Sequence, residues 1–293
     1  MPDFGELFTL LCEGEHWRAA EFLVKLGEAE HRALAERLFE EAGRDTLGDI
    51  LSSLLEAPDV AGWTMQRERL LRLEGMRMLA AALAHAAVEE EWRDLVQAVK
   101  ALASDSSLRV RESAVRLIAR IASGQFGETV PFWQECLASG DGLLAAAVLR
   151  GLAASSAPVS EVLRLFSTMM SDIRKDVRHN LGPRAIPELG RREPQAVFSR
   201  LREWAHEPCE ITRWNVAQAL VTPFGGVYAE DAIAILADFA LDERPAVWRA
   251  AAAAIVQIAQ RRPAYVLPML KRWREEPLRR RCAELALTTL VRR

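Results

Sequence analysis

The chain has 293 residues, half of them apolar and 27% charged, which is enough for a large core and carries no compositional mark of disorder. Aromatics are only 7%, with two tyrosines against eight tryptophans, and alanine and leucine dominate the apolar set, which excludes a β-sandwich or barrel. A net charge of −3 at pH 7 gives no overall basic excess of the kind that marks a generic nucleic-acid or acidic-membrane binder.

Taken in chain order, the N-terminal segment opens Met1-Pro2-Asp3, with an acid where a secretory signal needs positive charge, so secretion is not expected. Residues 1–60 read as an acidic helical cap over the apolar face of whatever follows. The longest apolar stretch, Met78 to Val88, is interrupted by His85 and falls short of the roughly 20 residues that span a bilayer. Four dispersed cysteines, Cys12, Cys136, Cys209 and Cys282, form no paired motif and point to reduced thiols, packed as small hydrophobes in a cytoplasmic protein.

From there on, Gly, Pro and Ser punctuate the sequence at short intervals, and the segments between them have helical spacing. Val162, Leu165, Phe166 and Met169 keep it, as do Val115, Ile118, Ala119 and Ala122, and Ile233, Leu236, Ala237 and Ala240. No stretch alternates with period two, so the expectation is about seventeen helices, no sheet, and antiparallel hairpins across short connections.

Internal periodicity is the strongest signal. An acid six residues before an arginine recurs as Asp105/Arg111, Asp172/Arg178, Glu207/Arg213, Glu243/Arg249 and Glu275/Arg281. The arginines are separated by 67, 35, 36 and 32 residues, and the first interval spans two repeats, with Asp141 keeping the acid and Ala147 standing where the arginine would be. The acid is placed to cap the second helix of each pair. The arginine, with its five-donor fork, is placed to reach the acid or the carbonyl groups of a neighbouring repeat, which makes these ten residues a candidate structural ladder. A weaker copy, Leu71 to Leu79, extends the array back toward residue 61 and makes about seven repeats over residues 61–293.

This pattern resembles HEAT repeats, in which a turn aspartate and an arginine on the second helix recur through a stack of helix pairs. The resemblance implies an all-α fold, a right-handed α-solenoid of antiparallel helix pairs, and a noncatalytic scaffold that binds a protein partner on its concave face.

No phosphate loop, dinucleotide fingerprint, zinc-protease motif or nucleophile elbow is present. The five histidines are scattered, and His206 with Cys209 gives only half a metal site, so no metal or cofactor is expected. The charge is uneven, however. Residues 1–100 hold twenty acids against eleven bases, whereas from Arg261 onward ten bases face three acids. Residues 101–293 as a whole hold twenty-seven bases against twenty-one acids, and two repeat arginines there have tryptophan neighbours, Arg213-Trp214 and Trp248-Arg249. Arg178, Arg213, Trp214, Trp248, Arg249 and Arg280 are therefore the candidate binding residues, with nucleic acid as a second kind of partner, since aromatics can stack on bases while guanidiniums hold phosphates. The same tryptophans have a plainer reading as filler between helix layers.

A second resemblance favours the nucleic-acid reading. Val177-Arg178-His179-Asn180-Leu181, Glu188 to Val197, Trp204 and Thr212-Arg213-Trp214 are similar to a stretch of the HEAT-like bacterial DNA glycosylases that excise alkylated bases. It implies a DNA-binding alternative to the scaffold, but supplies no carboxylate in a catalytic role: Asp172, Asp176, Glu207 and Glu210 all have cap or surface explanations.

Overall fold

A computed structural model describes residues 4–13, 16–23, 26–42, 50–51, 54–55, 66–91 and 95–292. Every regular element among them is helical. Contacts divide the chain into two compact units, Met1–Gly151 and Leu152–Arg293. The expected boundary between cap and array at residues 60 and 61 lies outside the described residues.

The first unit contains α1 (Phe4–Cys12), α2 (His16–Leu23), α3 (Glu28–Ala42), α4 (Gln66–Glu91), α5 (Val96–Ala103) and α6 (Leu108–Ala138), and α7 (Gly142–Ala154) begins in it. Helix α4 packs against α2, α3 and α6. Its Met76, Leu79, Ala80, Leu83, Ala84 and Ala87 are fully buried, so its apolar residues wrap around the helix as a central element requires. Helix α6 is two helices joined at Gln125, whose φ of −141° and ψ of 41° break the helical run. At the far end Gly151 permits a close helix crossing, because a Cβ there would stand 2.4 Å from Ile118.

The second unit contains α8 (Val159–Ser167), α9 (Lys175–Asn180), a π-helical turn (Leu181–Ala185), α10 (Ile186–Arg192), α11 (Pro194–Ala205), α12 (Glu210–Ala219) and the short α13 (Phe224–Val227). It closes with α14 (Ala229–Phe239), α15 (Pro245–Arg261), α16 (Pro263–Glu275) and α17 (Arg280–Val291). Helices α11, α15 and α16 start at prolines, where a missing N–H costs nothing because the first turn has no acceptor for it. Pairs α11/α12, α14/α15 and α16/α17 pack as hairpins, while α12 packs on the π turn, α15 on α12 and α17 on α15. The second helices thus form one continuous row. Alanines at 250, 251, 252, 254 and 259, all buried, let α15 approach neighbours on several sides.

The residues that lead into these second helices are Ser107, Arg174, Cys209, Arg244 and Arg279, at intervals of 67, 35, 35 and 35 residues. This register corrects the sequence-derived pairs in two ways. The acids do not cap the helices at N2 or N3. Asp105, Asp172 and Asp242 stand two residues ahead of the lead-in residue and accept its backbone N–H at 2.7, 2.8 and 3.0 Å, an Asx turn that aims the chain into the helix. Only Asp141 acts as a true cap, accepting the N–H groups of Leu143 and Leu144.

The second correction concerns the fourth and fifth pairs. The turn acid of the fourth is Asp242, not Glu243, and Trp248 occupies the place that Arg111, Arg178 and Arg213 hold four residues into their helices. Arg249 is therefore out of register. In the fifth pair the Glu275 carboxylate meets Arg274, and it is Arg280, not Arg281, that reaches a carbonyl six residues back, that of Arg274. Two of the repeat arginines reach that carbonyl: Arg111 donates to Asp105 O at 2.6 Å and Arg213 to Glu207 O at 2.8 Å.

Guanidinium groups also tie each repeat to the one before. Arg120 donates to the carbonyl of His85, Arg244 to Pro208, Arg262 to Gly226 and Arg281 to Asp242, across separations of 35 to 39 residues. Three of these four ties are exposed, as is the pair of Arg191 with Glu188, so each of them contributes about 1 kcal/mol or less.

Candidate functional site

All six candidate binding residues lie in the second unit, on the row formed by α9, α12, α15 and α17. The geometry sorts them into three kinds. Arg178 and Trp214 come together: the guanidinium carbon stands 4.8 Å from the ring centroid, and both residues are half-buried. Trp248 and Arg249 also meet, at 5.2 Å, and Arg281 approaches the same ring at 5.3 Å. Each tryptophan thus carries one or two cations on its π system.

Arg213 is occupied otherwise. Its Nε donates to the Glu207 carbonyl, its Nη1 bonds the Asp242 carboxylate at 2.8 Å, and its guanidinium lies over Phe239. Arg280 is exposed and turns toward the carbonyl of Arg274. Neither joins an arginine–tryptophan pair.

Beneath Trp214 the packing is unusually close. A Cβ on Gly182 would lie 2.7 Å from the Asn215 backbone oxygen and 2.8 Å from its Oδ1, so only glycine fits this crossing. Asn215 is fully buried, and its Nδ2 donates to the Met170 carbonyl at 3.0 Å. Its Oδ1 is buried without a partner, as is Nε of Arg178. Two orphaned polar atoms beside a π turn are costly, and such turns concentrate at functional sites.

Two aspartates in the turns of this row are paired with arginine. Asp172 is clasped by Arg174, from Nε at 3.0 Å and Nη2 at 2.7 Å. Burial opposes ionisation there, but the side-chain and backbone bonds from Arg174 outweigh it and hold Asp172 below the usual carboxylate range. Asp242 is 8% exposed and accepts from both Arg244 and Arg213; the bonds from Arg244 do most to hold its carboxyl far below the usual range. Sequence reasoning missed the role of Arg174 and Arg244. The signal was present as Asp-x-Arg at 172–174 and 242–244.

The thiols of Cys136, Cys209 and Cys282 differ in their surroundings. Burial pushes Cys136 and Cys282 up to about 12, as packed hydrophobes. Cys209 differs from the expectation for all four: it is half-buried at the start of α12. Burial works against its thiolate, but bonds from Thr212 and the Ile211 N–H, with the charge of Arg244, bring the thiol below its ordinary value. No cluster of three or more metal-ligating side chains occurs among the described residues. No described helix is long and apolar enough to cross a membrane.

No family profile matches this chain, and no curated protein does. Solved structures do. AlkD2 from Streptococcus mutans superposes with a TM-score of 0.54 at 16% identity, over 72% of this chain and 98% of that one. The fold is HEAT-like. A mutant of Kap121p also matches, at 12% identity and a TM-score of 0.46, over 92% of this chain and 35% of that one.

Proposed function

We propose that this HEAT-like protein binds DNA through the second-helix row of its second unit, in the manner of a scaffold related to alkylpurine DNA glycosylases. The observation that carries this reading is the pair of cation-bearing tryptophans, Arg178 on Trp214 and Arg249 with Arg281 on Trp248. Among the described contacts none of these three arginines has a carboxylate partner, although Arg281 donates to the Asp242 carbonyl. Guanidiniums beside half-buried indoles suit a strand whose phosphates take the cations and whose sugars or bases meet the rings. The likeness to AlkD2 and the resemblance of residues 177–214 to the HEAT-like DNA glycosylases support the same direction.

Binding is the part of the reading that the geometry favours. Excision of an alkylated base requires a carboxylate or equivalent group to meet developing positive charge, and Asp172 and Asp242 are each committed to arginine. The test is fluorescence anisotropy with a labelled duplex, plain and alkylated, across a salt series, followed by an assay for released base. Binding that weakens steeply with salt is expected, because phosphate contacts release counterions. Preference for damage with release of base would add catalysis. No retention of either duplex at low salt would overturn the proposal and return the second-helix row to a protein partner.

A further inference from the structure

The turns that lead into α9 and α15 are built alike. Asp172 and Asp242 each receive both the backbone N–H and the guanidinium of the arginine two residues on, Arg174 and Arg244, so each turn carries its own clasp. The turn between them leads into α12, and there the same two places hold Glu207 and Cys209. Its clasp is absent. Cys209 brings no guanidinium, and among the described contacts the Glu207 carboxylate meets no cation. Arg213 takes the Glu207 carbonyl instead, and Arg244 of the next repeat reaches only backbone, at the Pro208 carbonyl.

Both substituted residues open on one cavity of about 460 Å³, between the end of α8, α11 and the start of α12. Trp204 and Met170, both buried, give it an apolar floor. The other charged groups of its described lining are already matched, because Arg200 bonds both the Glu203 carboxylate and the Ser167 hydroxyl. Loss of both partners of a repeated clasp at the mouth of a cavity is the kind of departure from local consistency that marks a functional position.

The thiol is equipped for reaction. It is half-buried just before the first turn of α12; burial opposes the thiolate, but Thr212, through its N–H and its hydroxyl, and the Ile211 N–H bond to it, and Arg244 adds positive charge. Such a thiolate attacks one sulfur of a small disulfide R–S–S–R. A new S–S bond joins Cys209 to one half while the other half leaves as the thiolate RS⁻, so the disulfide is itself the oxidant. Where R ends in an ammonium two carbons from sulfur, the bound half sets that nitrogen as many bonds from Cβ as Nη stands in arginine. The adduct then has the reach and the charge of arginine, in the place where Arg174 and Arg244 clasp their turn acids.

We propose that Cys209 is a thiolation site for small aminothiols, whose ammonium takes the Glu207 carboxylate and closes the missing clasp. Selection rests on Glu207, which repels an anionic thiol and gains nothing from a neutral one. The site operates whether or not the second-helix row binds DNA.

The test is incubation of the full-length protein at pH 7 with cystamine, hydroxyethyl disulfide or dithiodipropionate, whose ends are ammonium, neutral and carboxylate, with peptide mass spectrometry to locate and time the adduct. Each rate is divided by that of the same reagent at Cys209 in the urea-unfolded chain, which removes intrinsic reactivity. Cystamine should be favoured over hydroxyethyl disulfide by about three- to fivefold, the scale of one exposed ion pair, with dithiodipropionate slowest. Glu207→Gln should erase the preference, and because Glu207 is exposed and its side chain makes no described bond, this variant keeps its fold. The cystamine adduct should melt about 1–3 °C above the hydroxyethyl adduct. Cys209→Arg, which supplies the charge without the chemistry, should likewise melt above Cys209→Ser. The proposal is overturned by equal normalised rates for cystamine and hydroxyethyl disulfide, by a preference that survives in Glu207→Gln, or by a cystamine adduct no more stable than the hydroxyethyl one.

Discussion

Arg213, on α12, donates from Nη1 to the carboxylate of Asp242, 2.8 Å away in the turn that leads into α15. The two residues are 29 positions apart, and the same contact recurs in the first unit, where Arg77 Nε stands 3.1 Å from the carboxylate of Asp105. In each case an arginine on one second helix holds the turn before the next. Asp242 additionally receives Arg244, so a nearly buried carboxylate is shared by two guanidiniums.

Replacement of Asp242 by Asn should therefore destabilise the protein by about 2 kcal/mol, the scale of a charge-assisted bond lost in a buried setting. Glu188→Gln, which removes an exposed pair with Arg191, should cost less than about 0.5 kcal/mol. Urea unfolding of the two variants beside the wild type makes the comparison. Equal midpoints for Asp242→Asn and the wild type would refute the ladder as a source of stability.

The same carboxylates govern the response to acid. Asp172 and Asp242 both have folded-state values below their ordinary range, so the unfolded chain takes up protons first as pH falls. Their contribution to stability is complete above pH ~5, begins to decline as pH drops through about 4, where an unfolded aspartate titrates, and continues to fall below that. A thermal-melt series from pH 7 to pH 3 should show this acid limb. In Asp242→Asn the limb should be shallower, and an unchanged slope would mean that Asp242 contributes nothing to it.

Arg178 and Trp214 should behave in the opposite way to Arg213. Arg178→Gln removes a cation over a half-buried ring, so it should change stability by less than about 1 kcal/mol. Under the DNA reading it should weaken duplex binding at low salt and reduce the slope of log affinity against log salt by about 1. Arg213→Gln should lower the melting temperature more and alter the salt slope less. If the two variants changed places, the assignment of roles along the row would be reversed.

Close packing at the π turn gives a sharper structural test. Gly182→Ala would press a methyl to 2.7 Å from the Asn215 backbone oxygen, which cannot retreat like a side-chain tip. The strain should cost about 1–3 kcal/mol. A Cβ on Gly226 meets nothing within 4 Å, so Gly226→Ala should be neutral or stabilising by up to about 1 kcal/mol. Paired thermal melts would detect the difference, and a tolerant Gly182 would mean that α12 and the π turn can separate freely.

The helical period and a repeat averaging about 34 residues were legible in the sequence, because burial on one side of each helix and a turn acid before it leave periodic marks; the even spacing of 35 emerged only from the residues that lead into the helices. The register within the repeat was less legible. Glu243 sits beside Asp242, and a one-residue choice between two neighbouring carboxylates is settled only by which backbone N–H each meets; counting six residues on from Glu243 then carried the arginine to 249, one past Trp248. Arginine-to-carbonyl ties left no motif at all, since any residue supplies a carbonyl; only the excess of arginine over lysine hinted at them. A cavity in the first unit is lined by residues 32, 85 and 120, which no local window contains.

Cys209 supplies the last expectation. Its thiol is half-buried and brought below its ordinary value by N–H groups at the start of α12 and by Arg244, whereas Cys136 and Cys282 are buried and pushed up to about 12. A thiolate reacts and a buried thiol does not, so a disulfide-exchange reagent at pH 7 should modify Cys209 well before Cys136 or Cys282. Arg244→Gln should slow that reaction, because it removes the nearby positive charge, and mass spectrometry of the labelled peptides identifies the site. Labelling of Cys136 or Cys282 at the same rate as Cys209 under native conditions would contradict the packing described for the helices that bury them.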